Sequence, residues 1–264
     1  MSRPKGYCPD RPGQVMGEAR RLLVRAGKLA APPASFSLAD LIVERLDQGR
    51  ASSCVSQALA QSVRLRWSYV LREAGLMGTP PLISRMQNYW ALRCLGGRQY
   101  MDAGGYPSDG VRALNEGYAV EADCPYSDDP LLQLQPMAPA VYRLSEDRRA
   151  AVEQHCVSDE PGPRAEEMKQ LLWAGFFPCL GLLCDQAFED LRVGTWDFVG
   201  PSLGGHYVVA VGWTPEGVQI CNSWADWGEN GCGIVGWDTI GQPELVTDVR
   251  AISITKMPDL EVAT

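Results

Sequence analysis

An α+β fold of two lobes, helical first and rich in antiparallel strands later, is predicted by three features of this 264-residue sequence. From Cys54 a mostly apolar stripe recurs at three- and four-residue steps through Val55, Ala58, Leu59, Ser62, Val63, Arg66, Trp67 and Val70, the spacing of one helix face. Two further helical segments follow it. The C-terminal third changes to short β-rich runs, HYVVAVGW, GVQICNSW and GCGIVGWDTI, divided by Thr-Pro-Glu-Gly and Gly-Glu-Asn-Gly turns. Helices gathered before strands are the pattern of an α+β chain.

Each element has its own local signal. Residues 1–32 read as an N-terminal extension containing GEARRLLVRAGKLA, a basic stretch of modest helical periodicity, and residues 33–264 as the main domain. Pro32 and Pro33 exclude a helix from the entry segment APPASFSLADLI. Ser52 or Ser53 can cap the helix that starts at Cys54, and Gly75 or Gly78 can end it. PLISRMQNYWALRCLGG predicts a second helix, and YPSDGVRALNEGYAV a third that starts at the Ser108–Asp109 cap and stops at Gly117. The Pro- and charge-rich residues 127–165 read as loops with one surface strand. AEEMKQLLWAGF returns to helical spacing, and FPCLGLLC reads as a buried strand.

Composition narrows the function. A net charge of -8 argues against a nucleic-acid partner, which a basic face would serve. The start has no apolar core of secretory-signal length, and no run approaches the roughly 20 apolar residues of a membrane span. The nine cysteines are odd in number and contain no Cys-x-x-Cys pair, and the only imidazoles are His155 and His206. A structural metal site is therefore not expected, no cofactor is implied, and reduced thiols in a cytoplasmic or other reducing compartment are the default.

One constellation carries chemistry. Cys54 heads a helix, where the positive end of the dipole favours a thiolate. His206, in GGHYVVAVGW, stands at the mouth of a strand and can serve as its base. Asn222, in CNSWADWGENG, follows after a turn, so the run 206–222 reads as a hairpin that brings an orienting amide beside His206. Gln48, six residues before Cys54, can return its amide to the oxyanion that the Cys54 backbone N–H also meets. Any of these alone has a bland reading: free cysteine is commonly a buried packing residue. Their combination in this order reverses it. His155, in the charged VEQHCVSD, reads as a solvated loop residue, and Trp227, Cys221 and Cys232 as buried packing residues.

These segments resemble the papain-like cysteine peptidases. QGRASSCV is similar to that family's Gln-Gly-x-x-x-x-Cys segment, and GGHYVVAVGW to its Gly-His-Ala-Val-x-x-Val-Gly-Tyr segment. CNSWADWGENGCGIV, the most specific, is similar to Lys-Asn-Ser-Trp-Gly-x-x-Trp-Gly-Glu-x-Gly-Tyr. The resemblance spans roughly residues 33–255. It implies a helical N-terminal lobe, an antiparallel β-rich C-terminal lobe and a cleft between them. By the same resemblance Cys54 is the nucleophile, His206 the base and acid, and Asn222 its orienter. Gln48 completes the oxyanion hole and Trp224 shields the Asn222–His206 bond. Gly105 would offer main-chain groups to an extended peptide, with Tyr106 and Pro107 walling a side-chain pocket, and Gly205 before His206 would permit close approach of substrate or backbone. Tyr207 stands where relatives have a small residue, which predicts a shallow pocket.

Two departures qualify the resemblance. Ala51 and Val55 replace a half-cystine and an aromatic, in keeping with a reducing setting and with bacterial, phage-type or delivered-effector relatives. Residues 1–32 are far shorter than the usual inhibitory prosegment, so zymogen control of that kind is not expected. The activity implied is endopeptidase action on a peptide or protein through a thioester. A deamidase or other acyl-transfer effector shares that intermediate, and an idle binding protein shares the fold.

Overall fold

The computed structural model describes residues 3–10, 17–26, 31–146 and 148–256. A short strand β1 (Gly17–Glu18) leads into helix α1 (Ala19–Ala26), whose Leu22 and Leu23 are buried. Strand β2 (Phe36–Ser37) and a 3-10 turn (Ala39–Leu41) precede the helical lobe of α2 (Cys54–Glu73), α3 (Arg85–Leu95) and α4 (Pro107–Glu116). Short helices α5 (Pro130–Gln133) and α6 (Pro139–Glu146) lead to strand β3 (Ala151–Cys156) and helix α7 (Pro161–Trp173). The rest is β4 (Cys179–Cys184), α8 (Gln186–Asp190), β5 (Thr195–Trp196), β6 (Gly204–Trp213), β7 (Gly217–Cys221), β8 (Cys232–Gly236), α9 (Trp237–Ile240) and β9 (Val246–Lys256).

The strands form one sheet in the order β1-β3-β9-β4-β6-β7-β8-β5, with β2 also on β6. All neighbours are antiparallel except the two edge pairs, β1 with β3 and β5 with β8. The most buried strand is β6, whose residues His206 to Trp213 are all covered, and it packs against α2 and α7. Such a strand reads as a continuous apolar run rather than an alternation. The lobes meet along the line where α2 faces β6.

Four local expectations are corrected. The stripe on α2 is not one-sided: residues 54–63 are buried all round and Val70 is exposed. The helix runs through the centre of the molecule, where a single apolar face is not enough. Helix α4 starts at Pro107, with Tyr106 as its N-cap, because proline suits the first helical position and pre-sets its φ. Residues 127–165 hold α5, α6 and the start of α7 besides a strand, each helix opening on a proline (Pro130, Pro139, Pro161). His155 is no solvated loop residue. It lies in β3, 5% exposed, with Nε2 3.1 Å from Ser253 Oγ. Among the described residues no helix is long and apolar enough to cross a membrane.

Candidate active site

Gln48, Cys54, His206 and Asn222 come together where the lobes meet, each fixed by a different piece of local geometry. Cys54 is the first residue of α2 and is fully buried. Its sulfur is surrounded by backbone N–H groups of Gly6, Tyr207 and Val55. The Tyr207 amide, one residue beyond His206, thus ties the sulfur to β6.

The register of the β6–β7 hairpin pairs Val209 with Cys221. Asn222 therefore falls one step past β7, opposite Val208 and diagonal to His206, within reach of a long side chain. His206 Nε2 and Asn222 Oδ1 are 2.7 Å apart, and the Ser223 backbone N–H donates to the same Oδ1 at 2.7 Å. A backbone N–H needs an acceptor, so the amide oxygen faces both groups and His206 Nε2 must be the donor. The neutral imidazole then carries its proton on Nε2 and its lone pair on Nδ1, a tautomer assigned from the network. Among the described residues Nδ1 has no hydrogen-bond partner, and it is buried. Trp224 lies parallel to the His206 ring with centroids 4.3 Å apart, and Phe188 meets both rings edge-on.

Gln48 is buried in a turn that Gly49 closes at φ +54, a left-handed value suited to glycine. Ser223 Oγ donates to Gln48 Oε1 at 2.7 Å, the Gln48 N–H donates to the Ser223 carbonyl at 2.9 Å, and Tyr126 OH donates to the Gln48 carbonyl at 2.9 Å. This leaves Gln48 Nε2 as the outward donor. Sequence reasoning missed Ser223, Tyr126 and Phe188. Only the first stands next to a singled-out residue, and nothing in the local pattern marks the other two.

Residues 3–10 run along this site. The Pro4 carbonyl accepts from Gln48 Nε2 at 3.0 Å, the Gly6 carbonyl from Gly105 N–H at 2.7 Å, and the Gly105 carbonyl from Cys8 N–H at 3.0 Å. The pairing with Gly105 is parallel. Tyr7 N–H donates to the Gly205 carbonyl, and the Tyr7 ring stacks on Tyr207 at 5.3 Å while its hydroxyl lies 2.8 Å from Thr247 Oγ1. Tyr207 in turn donates to Asp248, and Tyr106 lies under the Arg98 guanidinium. Lys5 forms a buried ion pair with Glu189, Arg3 reaches Asp226 at 2.8 Å over the Trp224 face, and Asp10 reaches Arg250 at 2.6 Å. Of the residues assigned to substrate contact, Gly105, Gly205 and Tyr207 touch this segment directly. Trp224 meets the Arg3 side chain. Pro107 serves as the first residue of α4.

Burial sets the electrostatics. It pushes the Cys54 thiol up to about 12, against which the surrounding N–H groups act only in part. It lowers His206 to about 4, opposed by the Asn222 hydrogen bond and reinforced by the Lys5 and Arg3 cations. With residues 3–10 in place both groups are neutral near neutral pH. Among the described residues no group of three or more His, Cys, Asp or Glu side chains is placed to hold a metal ion.

Solved structures share this arrangement of elements. Xylellain, a cysteine protease from Xylella fastidiosa, superposes with a TM-score of 0.78 at 21% identity, over 97% of this chain and 99% of that one. The chain has a papain-like fold. The same fold appears in procathepsin B S9 from Trypanosoma congolense, with a TM-score of 0.73 at 18% identity over 96% of this chain and 87% of that one. It appears again in digestive procathepsin L 3 of Tenebrio molitor, at 0.66 and 14% over 89% and 79%. No family model and no curated protein matches the sequence. The likeness to the papain-like fold is thus one of architecture.

Proposed function

We propose that the chain is a thiol-dependent endopeptidase of the papain-like kind, on the bacterial or phage-type branch, held in a latent form by residues 3–10. The observation that carries the reading is the His206–Asn222 pair, which leaves the lone pair of His206 Nδ1 unused, while the Cys54 sulfur meets the backbone N–H of Tyr207, the next residue along β6. His206 Nδ1 takes the Cys54 proton, and the thiolate attacks a peptide carbonyl carbon. The oxyanion meets Gln48 Nε2 and the Cys54 backbone N–H. Nδ1–H then protonates the departing amine, leaving a thioester. Water attacks that thioester as His206 takes its proton, which releases the acid and restores the thiol.

The latent state follows from the pose of the N-terminal segment. Its Gly6 N–H points at the sulfur, so Cys54 faces a donor rather than a carbonyl carbon. Its pairing with Gly105 is parallel, and it keeps water from the dyad. Incubating a denatured protein with the chain, with its Gly6→Asp variant and with a Cys54→Ala variant made in the Gly6→Asp background tests the reading. New amide-bond ends in the mass spectrum from Gly6→Asp, and none from Cys54→Ala, are expected. One-dalton side-chain shifts without new ends would replace peptidase by deamidase, and equal cleavage by Cys54→Ala would remove the thiol mechanism.

A further inference from the structure

Two cysteines outside the dyad face one another across the sheet. Cys221 ends β7 and Cys232 opens β8, and the register of that antiparallel pair sets them directly opposite. The Asn222 N–H donates to the Gly231 carbonyl at 2.9 Å. This places the bonded rung one residue on, so Cys221 and Cys232 form a non-hydrogen-bonded pair, the kind in which side chains come closest. Cα atoms of such a pair stand about 4.5 Å apart, inside the range of about 4.4–6.8 Å that a disulfide spans. The turn between them is already closed by Glu229, whose N–H and carbonyl both bond to Cys232. No backbone rearrangement is needed to join the two sulfurs.

The pair is asymmetric and reachable. Cys221 is buried, whereas Cys232 is half-buried and lines an open groove of about 750 Å³ together with Arg45, Glu229 and Asn230. Against the sequence expectation, Cys232 is therefore not a buried packing residue. The mutual contact holds the Cys232 thiol below its ordinary value, with Arg45 helping, and the Cys221 thiol above. The more acidic thiol thus belongs to the residue that lines the groove, the placement of a reactive thiol.

We propose that Cys221 and Cys232 are a redox-modification site that forms a reversible cross-strand disulfide, driven by a small hydroperoxide entering from the groove. The Cys232 thiolate takes the terminal oxygen of the peroxide and becomes a sulfenic acid, with release of water or an alcohol. Cys221 then attacks that sulfur, the S–O bond breaks, and a second water leaves as the S–S bond forms. The peroxide is reduced and the two thiols are oxidised by two electrons. A dithiol reverses the step. The bond would staple β8 to the residue immediately before Asn222, a link that does not depend on the peptidase reading.

The test is disulfide mapping of the folded full-length chain after treatment with hydrogen peroxide, alkylation and digestion at acidic residues. Asp226 and Glu229 lie between the two cysteines, so such cleavage separates them into two peptides. The expected result is a linked pair holding Cys221 and Cys232, two hydrogens lighter than its reduced parts and lost on adding dithiothreitol. It should form equally in a Cys54→Ala background and be absent in Cys232→Ser, whose half-buried position tolerates the change. Cys221 and Cys232 recovered as separately alkylated peptides from oxidised, cooperatively melting wild type would overturn the proposal. So would Cys221 linked to another cysteine as readily in Cys232→Ser as in wild type.

Discussion

The side-chain amide of Gln48 donates to the main-chain carbonyl of Pro4 at 3.0 Å. The same nitrogen also donates to the Ala51 carbonyl at 2.9 Å, while Ser223 Oγ holds the amide oxygen. A donor so oriented has a fixed direction, and the chain's own N-terminal segment supplies the carbonyl that meets it. If this donor is the one that stabilises an oxyanion, removing it should act on the transition state. Gln48→Ala, measured in a Gly6→Asp background so that the cleft is open, should lower kcat by about 10²–10³-fold with little change in KM. A loss confined to KM would mean that Gln48 binds substrate and does not stabilise the charge that develops.

The seat of the segment depends on the smallest side chain available. A Cβ added at Gly6 would lie 1.6 Å from the Ser52 carbonyl oxygen, which is backbone and cannot move aside. Gly6→Asp should therefore unseat residues 3–10 without touching the dyad. The expected outcome is labelling of Cys54 by an epoxide probe at least tenfold faster than in wild type, because the buried thiol becomes accessible. Equal rates, read by mass spectrometry of the labelled peptide, would show that the segment does not limit access.

On the proposed reading Asn222 positions His206 rather than reacting itself. Its oxygen fixes the tautomer of His206, so Asn222→Ala should allow the ring to rotate and to place its proton on either nitrogen. A misplacement of about 1 Å in a reacting group can lower the rate about 10²-fold, and a fall of that order in kcat is expected, with KM held. The pH profile provides a second readout: loss of this bond, which opposes the downward shift of His206, should lower the pH at which activity begins to fall on the acid side. An unchanged profile and rate would reduce Asn222 to a packing residue.

The candidate constellation is legible in the sequence because each member sits in a short, local pattern. Cys54 follows a turn and opens a helix, and the hairpin between His206 and Asn222 is signalled by strands and a Thr-Pro-Glu-Gly turn. What failed were features decided by distant partners. His155 lies amid charged neighbours, yet its strand is covered by β9 and Ser253, nearly a hundred residues away. The helix starts at Pro130, Pro139 and Pro161 are hidden because a proline marks the break of a helix as readily as its first position. The path of residues 3–10 left no periodic signal, since an extended segment bound through its main chain needs none. The close approach that Gly6 makes is to Ser52, 46 positions later, which no local pattern signals.

Acidification should release the N-terminal segment, and the sign follows from two shifts. Burial lowers His206 to about 4 from an ordinary 6.5, so between those values the closed form refuses a proton that the opened form accepts. The contribution of neutral His206 to the closed form is complete above about pH 6.5 and is lost as pH falls toward 4, amounting to about 3 kcal/mol at the acid end. Burial pushes Cys54 up to about 12, so on the other side the closed form loses ground once pH rises past the ordinary thiol value of 9. Residues 3–10 are thus held most firmly between about pH 6.5 and 9. The measurement is the rate of epoxide labelling at Cys54 in wild type divided by that in Gly6→Asp at the same pH, which removes the intrinsic pH dependence of the probe. That ratio should climb about tenfold or more from pH 7 to pH 4.5. A flat ratio across that interval would mean that the segment leaves without His206 gaining a proton.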